Sequence, residues 1–307
     1  MEFLTEKEII DRINVLRKQK NAIIITHNYQ LGEVQDIADF TGDSLELSMK
    51  AADTKADVIV FCGVKFMAET AAILSPDKTV LLPVMESGCP MADMADAEDL
   101  IKMKKEHPDA LVVTYVNSSA EVKALTDVCV TSANALKIVS ALPPDKEIIF
   151  VPDKNLGAYV QRKTGRKMIL WPGFCPTHMR ITPQIIIQKK KEYPDAKVMI
   201  HPEARLDVLD LADEVLSTGG MCKFAKQTDA KKIIVATEIG LIYRLRKENP
   251  DKMFIPVTEQ AVCPNMKMHR IENVLESLEK LEHRISVPEE IRVPAEKSIR
   301  KMLEMSR

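Results

Sequence analysis

The segment KTVLLPVMESGCP at residues 78–90 has two counterparts along the chain, RKMILWPGFCP at residues 166–176 and DKMFIPVTEQAVCP at residues 251–264. Each joins a short apolar run, which is typical of a buried strand, to a loop that ends in Cys-Pro. The cysteines of these loops are 86 and 88 residues apart. Self-similarity at a fixed period predicts that the chain of 307 residues repeats one structural unit three times.

A second series of segments keeps the same period. The runs IITHNY, VVTYVN and VMIHPE place His27, Tyr115 and His201 at intervals of 88 and 86 residues. Apolar, β-branched runs alternate with amphipathic helical segments, which predicts βαβ crossovers and parallel strands covered on both faces. We therefore expect an α/β protein of three small units, each with about four strands in three layers. A pseudo-threefold arrangement of the units would bring the three Cys-Pro loops together.

The breaks between units are marked by two similar segments, EHPDALVV near Pro108 and EYPDAKVM near Pro194. The charged C-terminal region has no counterpart in the aligned repeats, and we expect it to pack on the first unit. The predicted organisation is an N-terminal helix at 1–21, repeat units at 22–108, 109–194 and 195–270, and a helical tail at 271–307.

The composition is that of an ordinary soluble globular protein, with 46% hydrophobic and 29% charged residues. A formal net charge of −2 gives no electrostatic reason to expect nucleic acid or an anionic membrane as a partner. No apolar run approaches the roughly 20 residues that span a bilayer. The N-terminus is a charged amphipathic helix rather than a signal peptide, so we expect a cytoplasmic protein with reduced thiols.

The candidate functional residues follow the strands, where ligands bind in parallel α/β sheets. Three turns of small residues, GDS at 42–44, TSAN at 131–134 and STGG at 217–220, each precede a predicted helix. Free N–H groups at helix N-termini bind anions, so three such turns favour a substrate with several anionic groups. Among the groups at strand ends, Glu203 is the best candidate general acid or base, and Tyr29 is the next.

The six cysteines fall into two classes. Cys62, Cys129 and Cys222 do not match between repeats, and we expect them to be buried thiols. Cys89, Cys175 and Cys263 match, and they form a ligand set for a metal or an iron–sulfur cluster. Structural zinc usually takes paired ligands from CxxC knuckles, which the chain lacks. Three thiolates on a [4Fe–4S] cluster would leave one iron open as a Lewis acid, which suits dehydration or condensation.

Three alternatives remain open from the residues alone. A hydro-lyase with a three-cysteine cluster would explain the thiols but not the three anion-binding turns. A cluster-based sensor of iron or oxygen would need a surface for a nucleic acid or a protein partner, and the near-neutral charge offers none. A zinc protein would be colourless, whereas a [4Fe–4S] protein is brown. His178 lies three residues after Cys175. It is a candidate for a residue that contacts a cluster ligand and adjusts the properties of the cluster without binding it.

The chain resembles the quinolinate synthases over essentially its whole length. The motifs that carry the resemblance include HNYQ at 27–30, GVKFMAET at 63–70, GCPMADM at 88–94, PGFCPTH at 172–178 and CPNM at 263–266. YVN at 115–117, HPE at 201–203 and the three small-residue turns also match. Some family members carry a second cysteine near the last ligand and a possible redox switch. Met266 stands there in this chain, so we expect no such switch.

The resemblance implies three Rossmann-like αβα domains, related by a pseudo-threefold axis, around a central [4Fe–4S] cluster. It implies condensation of iminoaspartate with dihydroxyacetone phosphate to quinolinate, phosphate and water, on the de novo path to NAD. It also implies a functional link to an iminoaspartate-forming enzyme. The implied cluster ligands are Cys89, Cys175 and Cys263. The predicted catalytic residues are Tyr29, His201 and Glu203. The predicted substrate-binding residues are His27, Ser44, Phe66, Met67, Tyr115, Asn117, Ser132, His201, Glu203, Ser217 and Thr218.

Overall fold

The computed structural model describes residues 4–307, so the first three residues of the predicted N-terminal helix lie outside it. Helix α1 (Glu6–Gln19) opens the described chain. The Thr5 side chain accepts a hydrogen bond from the Glu8 N–H, and the Glu8 side chain accepts one from the Thr5 N–H. This capping box satisfies two N–H groups that would otherwise lack partners at the start of the helix.

Three successive units follow, and each alternates strands with helices. The first contains β1 (Ala22–His27), α2 (Gly32–Asp36), β2 (Phe40–Gly42), α3 (Ser44–Asp53), β3 (Val58–Cys62), α4 (Lys65–Leu74), β4 (Thr79–Leu81) and α5 (Ala97–Glu106). The second contains β5 (Leu111–Tyr115), α6 (Ala120–Ala124), β6 (Val128–Val130), α7 (Ala135–Ala141), β7 (Ile148–Val151), α8 (Lys154–Thr164), β8 (Met168–Leu170) and α9 (Pro183–Glu192). The third contains β9 (Lys197–Ile200), α10 (Leu206–Leu209), β10 (Glu214–Val215), α11 (Thr218–Gln227), β11 (Lys232–Ala236), α12 (Leu241–Glu248), β12 (Met253–Pro256) and α13 (Ile271–Lys280).

The three sheets have the same strand order. They read β2-β1-β3-β4, β6-β5-β7-β8 and β10-β9-β11-β12, and all of these pairs are parallel. In each sheet the first strand of the unit is interior, with its second and third strands on either side. The order reverses there, and this switch point is where α/β sheets bind ligands. The prediction of a repeated α/β architecture with small parallel sheets is confirmed.

The helix that follows each Cys-Pro loop packs on the next unit. Each of these helices begins eight residues after its cysteine, and α5 contacts α6 of the second unit. Helix α9 likewise contacts α10 of the third unit, and α13 contacts α1 and β3 of the first. The chain therefore closes a ring in which every unit is covered by a helix of the unit before it. Helix α13 is thus the third copy of α5 and α9, although the sequence alignment left residues 271–280 outside the repeat.

Two elements remain outside the repeat. Strand β13 (Arg284–Ile285) pairs with β4 as an antiparallel fifth strand of the first sheet. Helix α14 (Glu289–Ser306) packs mainly against α6 and β6 of the second unit and also contacts α4 of the first. The end of the tail thus lies across two units rather than on the first alone. Within residues 4–307, no helix is both long enough and apolar enough to cross a membrane.

Candidate active site

The carboxyl ends of the strands in all three units face one cavity, whose space between atoms, including a part open to solvent, is about 610 Å³. Fourteen of the residues predicted from the sequence line it. They are His27, Tyr29, Ser44, Phe66, Met67, Cys89, Tyr115, Asn117, Ser132, Cys175, His201, Glu203, Thr218 and Cys263. We call Cys89, Cys175 and Cys263 the thiol wall. We call His27, Tyr29, Tyr115, Asn117, His201 and Glu203 the polar wall.

Ser217 is the one predicted residue that does not line the cavity. It is the N-cap of α11, and its hydroxyl accepts a hydrogen bond from the Gly220 N–H at 3.1 Å. The same hydroxyl donates to the Asp43 carboxylate at 3.0 Å, across the boundary between the first and third units. Gly219 permits this close approach, since a Cβ there would lie 2.6 Å from an Asp43 carboxylate oxygen. Ser217 therefore holds the start of α11 in place behind the cavity surface.

Each cysteine of the thiol wall precedes a short 3-10 turn. These turns are Ala92–Met94, His178–Arg180 and Asn265–Lys267. Main-chain N–H groups of the turn regions act to lower the thiol pKa values. Cys175 differs from the other two cysteines because His178 Nδ1 lies 3.2 Å from its sulfur atom. N–H donors directed at sulfur stabilise a thiolate, which is the form that binds metal.

Burial outweighs these donors and raises the pKa of every thiol in the wall, that of Cys89 to about 12. No disulfide joins cysteines among residues 4–307. Three thiolates facing one cavity are therefore stable only beside compensating positive charge. A bound metal supplies that charge, because a coordinating thiol is deprotonated by the metal itself. The donor set fits a metal or an iron–sulfur cluster held by three cysteines.

Nitrogen and oxygen ligands also lie beside the thiol wall. Ligand atoms of Cys175, His178 and Glu203 lie within 4.8 Å of one another, and this group could hold a metal ion. His178 Nδ1 is 3.2 Å from the Cys175 sulfur and 2.8 Å from a Glu203 carboxylate oxygen. His178 therefore connects the thiol wall to the polar wall.

The Glu203 carboxylate is the centre of the polar wall, and its side chain is about 5% exposed. The Tyr115 hydroxyl donates a hydrogen bond to one carboxylate oxygen at 2.7 Å, and His178 contacts the other. Burial alone would raise the pKa of Glu203. The adjacent His178 and these hydrogen bonds outweigh burial and hold the pKa below its usual range. Glu203 is therefore an ionised carboxylate that can accept a proton.

A continuous chain of hydrogen bonds joins Tyr29 to Glu203. The Tyr29 hydroxyl lies 2.5 Å from Thr237 Oγ1, which is 2.9 Å from His178 Nε2. The Nδ1 atom of the same ring contacts Glu203. Burial and the Glu203 charge raise the pKa of Tyr29 well above its usual range, so the phenol keeps its proton. The site thus pairs a proton donor with an acceptor through two intervening side chains.

Two further histidines of the polar wall are neutral. Burial lowers the pKa of both His27 and His201 to about 3. His27 Nδ1 accepts a hydrogen bond from the Tyr29 N–H at 3.1 Å, so Nε2 carries the ring hydrogen. His201 Nδ1 accepts from the Glu203 N–H, and its Nε2 lies 3.2 Å from Ser132 Oγ. Both rings therefore offer an N–H donor without adding charge.

The three small-residue turns differ in the donors they leave free. At α3 the Asp43 side chain accepts hydrogen bonds from the N–H groups of Leu45 and Glu46. In the TSAN turn the Thr131 N–H donates to Asn134 Oδ1, but no side chain caps the N–H groups at the start of α7. At α11 only the Gly220 N–H is bonded to the cap side chain. The α7 and α11 turns therefore leave more N–H groups free for an anion than the α3 turn does.

One amide of the polar wall has unused bonding capacity. Asn117 is 9% exposed, and its Oδ1 has no hydrogen-bond partner among residues 4–307. Its Nδ2 lies 3.5 Å from Glu203. A buried amide oxygen without a partner costs free energy, so a ligand that donates a hydrogen bond to it would be favoured.

Several residues around the cavity were missed by the sequence reasoning. Glu238 and Thr177 line it, while Thr237 and Asp153 lie beside it. A signal existed for two of them, because Asp153 and Glu238 each stand two residues after the third strand of their unit. Burial and the Glu203 charge raise the pKa of Asp153 well above its usual range.

The chain matches a family model described as quinolinate synthetase A protein over residues 11–304. A curated quinolinate synthase from Dehalococcoides mccartyi strain CBDB1 is 59% identical over 97% of this chain and 98% of its own. Another from Thermodesulfovibrio yellowstonii is 54% identical over 96% and 97%. Quinolinate synthase 1 of Methanosarcina acetivorans is 53% identical over 98% of each chain.

Among solved structures, E-1-hydroxy-2-methyl-but-2-enyl-4-diphosphate reductase from Plasmodium falciparum matches at 13% identity over 89% of this chain and 94% of that chain. The TM-score of 0.32 is too low to indicate a shared fold.

Proposed function

Because this chain belongs to the quinolinate synthetase A family, we propose that it is a quinolinate synthase that condenses iminoaspartate with dihydroxyacetone phosphate. The products are quinolinate, phosphate and water, and a separate iminoaspartate-forming enzyme supplies the first substrate. The observation that carries the proposal is the cavity shared by the thiol wall and the polar wall. Such a site combines metal ligands with groups for proton transfer, which a dehydrating condensation requires.

The proposed cofactor is a [4Fe–4S] cluster held by Cys89, Cys175 and Cys263. When bound with three protein ligands, the cluster supplies a Lewis acid that assists loss of a hydroxyl group. The three cysteines line one cavity and stand at matching positions of the three units, which supports this ligand set.

The substrates bring two carboxylates and one phosphate, and the chain offers them mostly neutral donors. The hydroxyls of Ser44, Ser132 and Thr218 belong to the three small-residue turns and line the cavity. Neutral donors and helix N-termini bind anions without placing a competing cation near the Glu203 carboxylate. The α11 turn, where the cap side chain bonds only the Gly220 N–H, is the proposed phosphate site.

Glu203 and Tyr29 are the proposed proton-transfer pair. During ketose–aldose isomerisation, the Glu203 carboxylate would take a proton from the carbon beside the carbonyl group. The Tyr29 phenol would give one to the carbonyl oxygen, and the hydrogen-bond chain through Thr237 and His178 would restore both groups. Both side chains line the cavity with this chain between them, which supports these roles.

The test compares quinolinate formation by wild type and Glu203→Gln, both purified without oxygen. Removing a general base costs roughly 10²- to 10⁴-fold in rate, so the variant should bind dihydroxyacetone phosphate and make almost no quinolinate. Glu192→Gln is the matched control, since this exposed carboxylate pairs only with neighbours on α9. Normal turnover by Glu203→Gln would remove Glu203 from the mechanism, and no quinolinate from wild type would refute the function.

A further inference from the structure

Three side chains reach across the unit boundaries and donate hydrogen bonds to main-chain carbonyl groups at the cavity. Each acceptor belongs to a residue whose own side chain lines the cavity. The bonds run from Lys123 Nζ to Phe66 at 3.2 Å, from Asn155 Nδ2 to Glu203 at 3.2 Å, and from Lys267 Nζ to Tyr29. Every pair of neighbouring units is thus joined at a cavity residue.

Lys123 is the most unusual of the three donors because it is fully buried, with 0% of its surface exposed. Its amine also donates to the Ser118 carbonyl at 2.7 Å and lies 5.3 Å from the centre of the Phe66 ring. Burying an amine is costly, and desolvation lowers its pKa. An apolar residue of similar size would pack there at less cost. The amine thus orients both the carbonyl and the ring of Phe66.

Lys267 is held by a buried carboxylate. Glu238 is 0% exposed, and one of its oxygens lies 2.9 Å from Lys267 Nζ. The same carboxylate accepts hydrogen bonds from the Gly240 N–H at 2.7 Å and the Cys263 N–H at 3.1 Å. This carboxylate fixes the amine of Lys267 against the carbonyl of Tyr29. The Cys263 loop of the third unit is thereby tied to the Tyr29 loop of the first.

We propose that Lys123 and Lys267 are positioning residues for the reaction, a role that rests on the proposed function. Lys123 positions Phe66 at the surface of the cavity, and Lys267 positions the Tyr29 phenol for proton transfer. Displacement of a reacting group by 1 Å can cost about 10²-fold in rate. The two lysines therefore differ in the kinetic constant they control. Loss of Lys123 weakens substrate binding, whereas loss of Lys267 slows the chemical steps.

The test measures kcat and KM for dihydroxyacetone phosphate in Lys123→Met and Lys267→Met, prepared without oxygen. Methionine keeps most of the length of the side chain and removes the donors. We expect Lys123→Met to raise KM about tenfold with kcat changed less than about twofold, and Lys267→Met to lower kcat about tenfold with KM nearly unchanged. Calorimetric titration with dihydroxyacetone phosphate should show the same loss of affinity for Lys123→Met alone.

Lys252→Met is the matched control. Lys252 Nζ also donates to two carbonyl groups, those of Ala225 and Thr228 at 2.5 Å, but both lie within the third unit and away from the cavity. Its kcat and KM should equal those of wild type. If Lys267→Met does not fold, the Glu238→Gln/Lys267→Met double variant removes the unpaired buried charge and carries the same expectation.

Two outcomes would overturn the inference while leaving the proposed function intact. In one, both lysine variants match Lys252→Met in kcat and KM. In the other, both variants lose activity only because less of the protein is folded, and kcat and KM per folded molecule are unchanged. That result would indicate a purely structural role. Absence of quinolinate formation by wild type would instead refute the proposed function, and it would refute the positioning role as well.

Discussion

The thiol wall carries the same residue at the same position of all three units, whereas the polar wall carries His27, Tyr115 and His201 at its equivalent positions. Three matching Cys-Pro loops bring three sulfur atoms to one cavity. At the ends of the first strands, the same backbone position presents a neutral imidazole, a phenol and a second imidazole. Two residues further on, the first unit carries Tyr29 and the third carries Glu203. Repetition is therefore suited to holding a ligand set, while divergence at repeated positions separates the proposed proton donor from the proposed acceptor.

The largest expected effect comes from replacing any one of the three cysteines of the thiol wall. Cys89→Ala, Cys175→Ala and Cys263→Ala should each reduce quinolinate formation below about 10⁻³ of wild type, because each removes one of the three proposed ligands. Chromatographic measurement of quinolinate under anaerobic conditions checks this. Substantial activity in any one of the three would show that the wall is not a three-ligand set.

A smaller effect is expected where the polar wall is joined to the thiol wall. Thr237→Val keeps the side-chain volume but removes the hydroxyl that contacts Tyr29 and His178. With two hydrogen bonds lost at about 1 kcal/mol each, kcat should fall roughly 30-fold. Steady-state kinetics measure the change, and the cluster content should stay at the wild-type level.

Thr164→Val is the control for that substitution, since the Thr164 hydroxyl bonds to a carbonyl within α8. Equal kcat values for the two threonine variants would mean that the chain from Tyr29 to Glu203 has no part in turnover.

The neutral histidines of the polar wall predict a loss of stability in acid. Folded His27 and His201 have a pKa of about 3, below the ordinary value of 6.5, so the unfolded state binds more protons between these limits. The free energy of unfolding should therefore fall as the pH drops from 6.5 toward 3, by up to about 1.4 kcal/mol per pH unit for each histidine.

His201→Asn cannot titrate, and the fall in its melting temperature with decreasing pH should be shallower than that of wild type. Thermal denaturation followed by circular dichroism between pH 7 and pH 4 gives the two slopes. Identical slopes would contradict a buried neutral His201.

The smallest expected effect concerns a cysteine that lies outside the thiol wall. Cys222 is a buried thiol that has no counterpart in the other units. Cys222→Ala should cost about 1 kcal/mol of stability and leave turnover and iron content unchanged. Iron assay and kinetics of this variant test whether position in the repeat, rather than cysteine itself, determines ligation. A loss of iron would place a fourth thiol in the site.

The sequence predicted the strands and the cavity well because both depend on local pattern and period. Buried apolar runs specify parallel strands, and polar residues at strand ends meet at one edge. The place of α13 was missed although its start lies eight residues after Cys263, as α5 and α9 lie after their own cysteines.

Other features could not be read from local pattern. Lys123 lies on a short helix, where lysine normally indicates an exposed face, and its burial depends on Phe66 in another unit. Thr237 gains its place between Tyr29 and His178 only when three units converge. Helix α14 spans two units through contacts that have no sequence period. These contacts between distant segments are set by tertiary packing.

The most direct test of the account is the iron and acid-labile sulfide content of anaerobically purified wild type, the three thiol-wall variants and Glu203→Gln. We predict about four irons and four sulfides per chain in wild type and in Glu203→Gln, and loss of both from each cysteine variant. A colourless wild type with zinc or no metal would contradict the cluster. Full iron in Cys175→Ala would contradict the thiol wall as its ligand set.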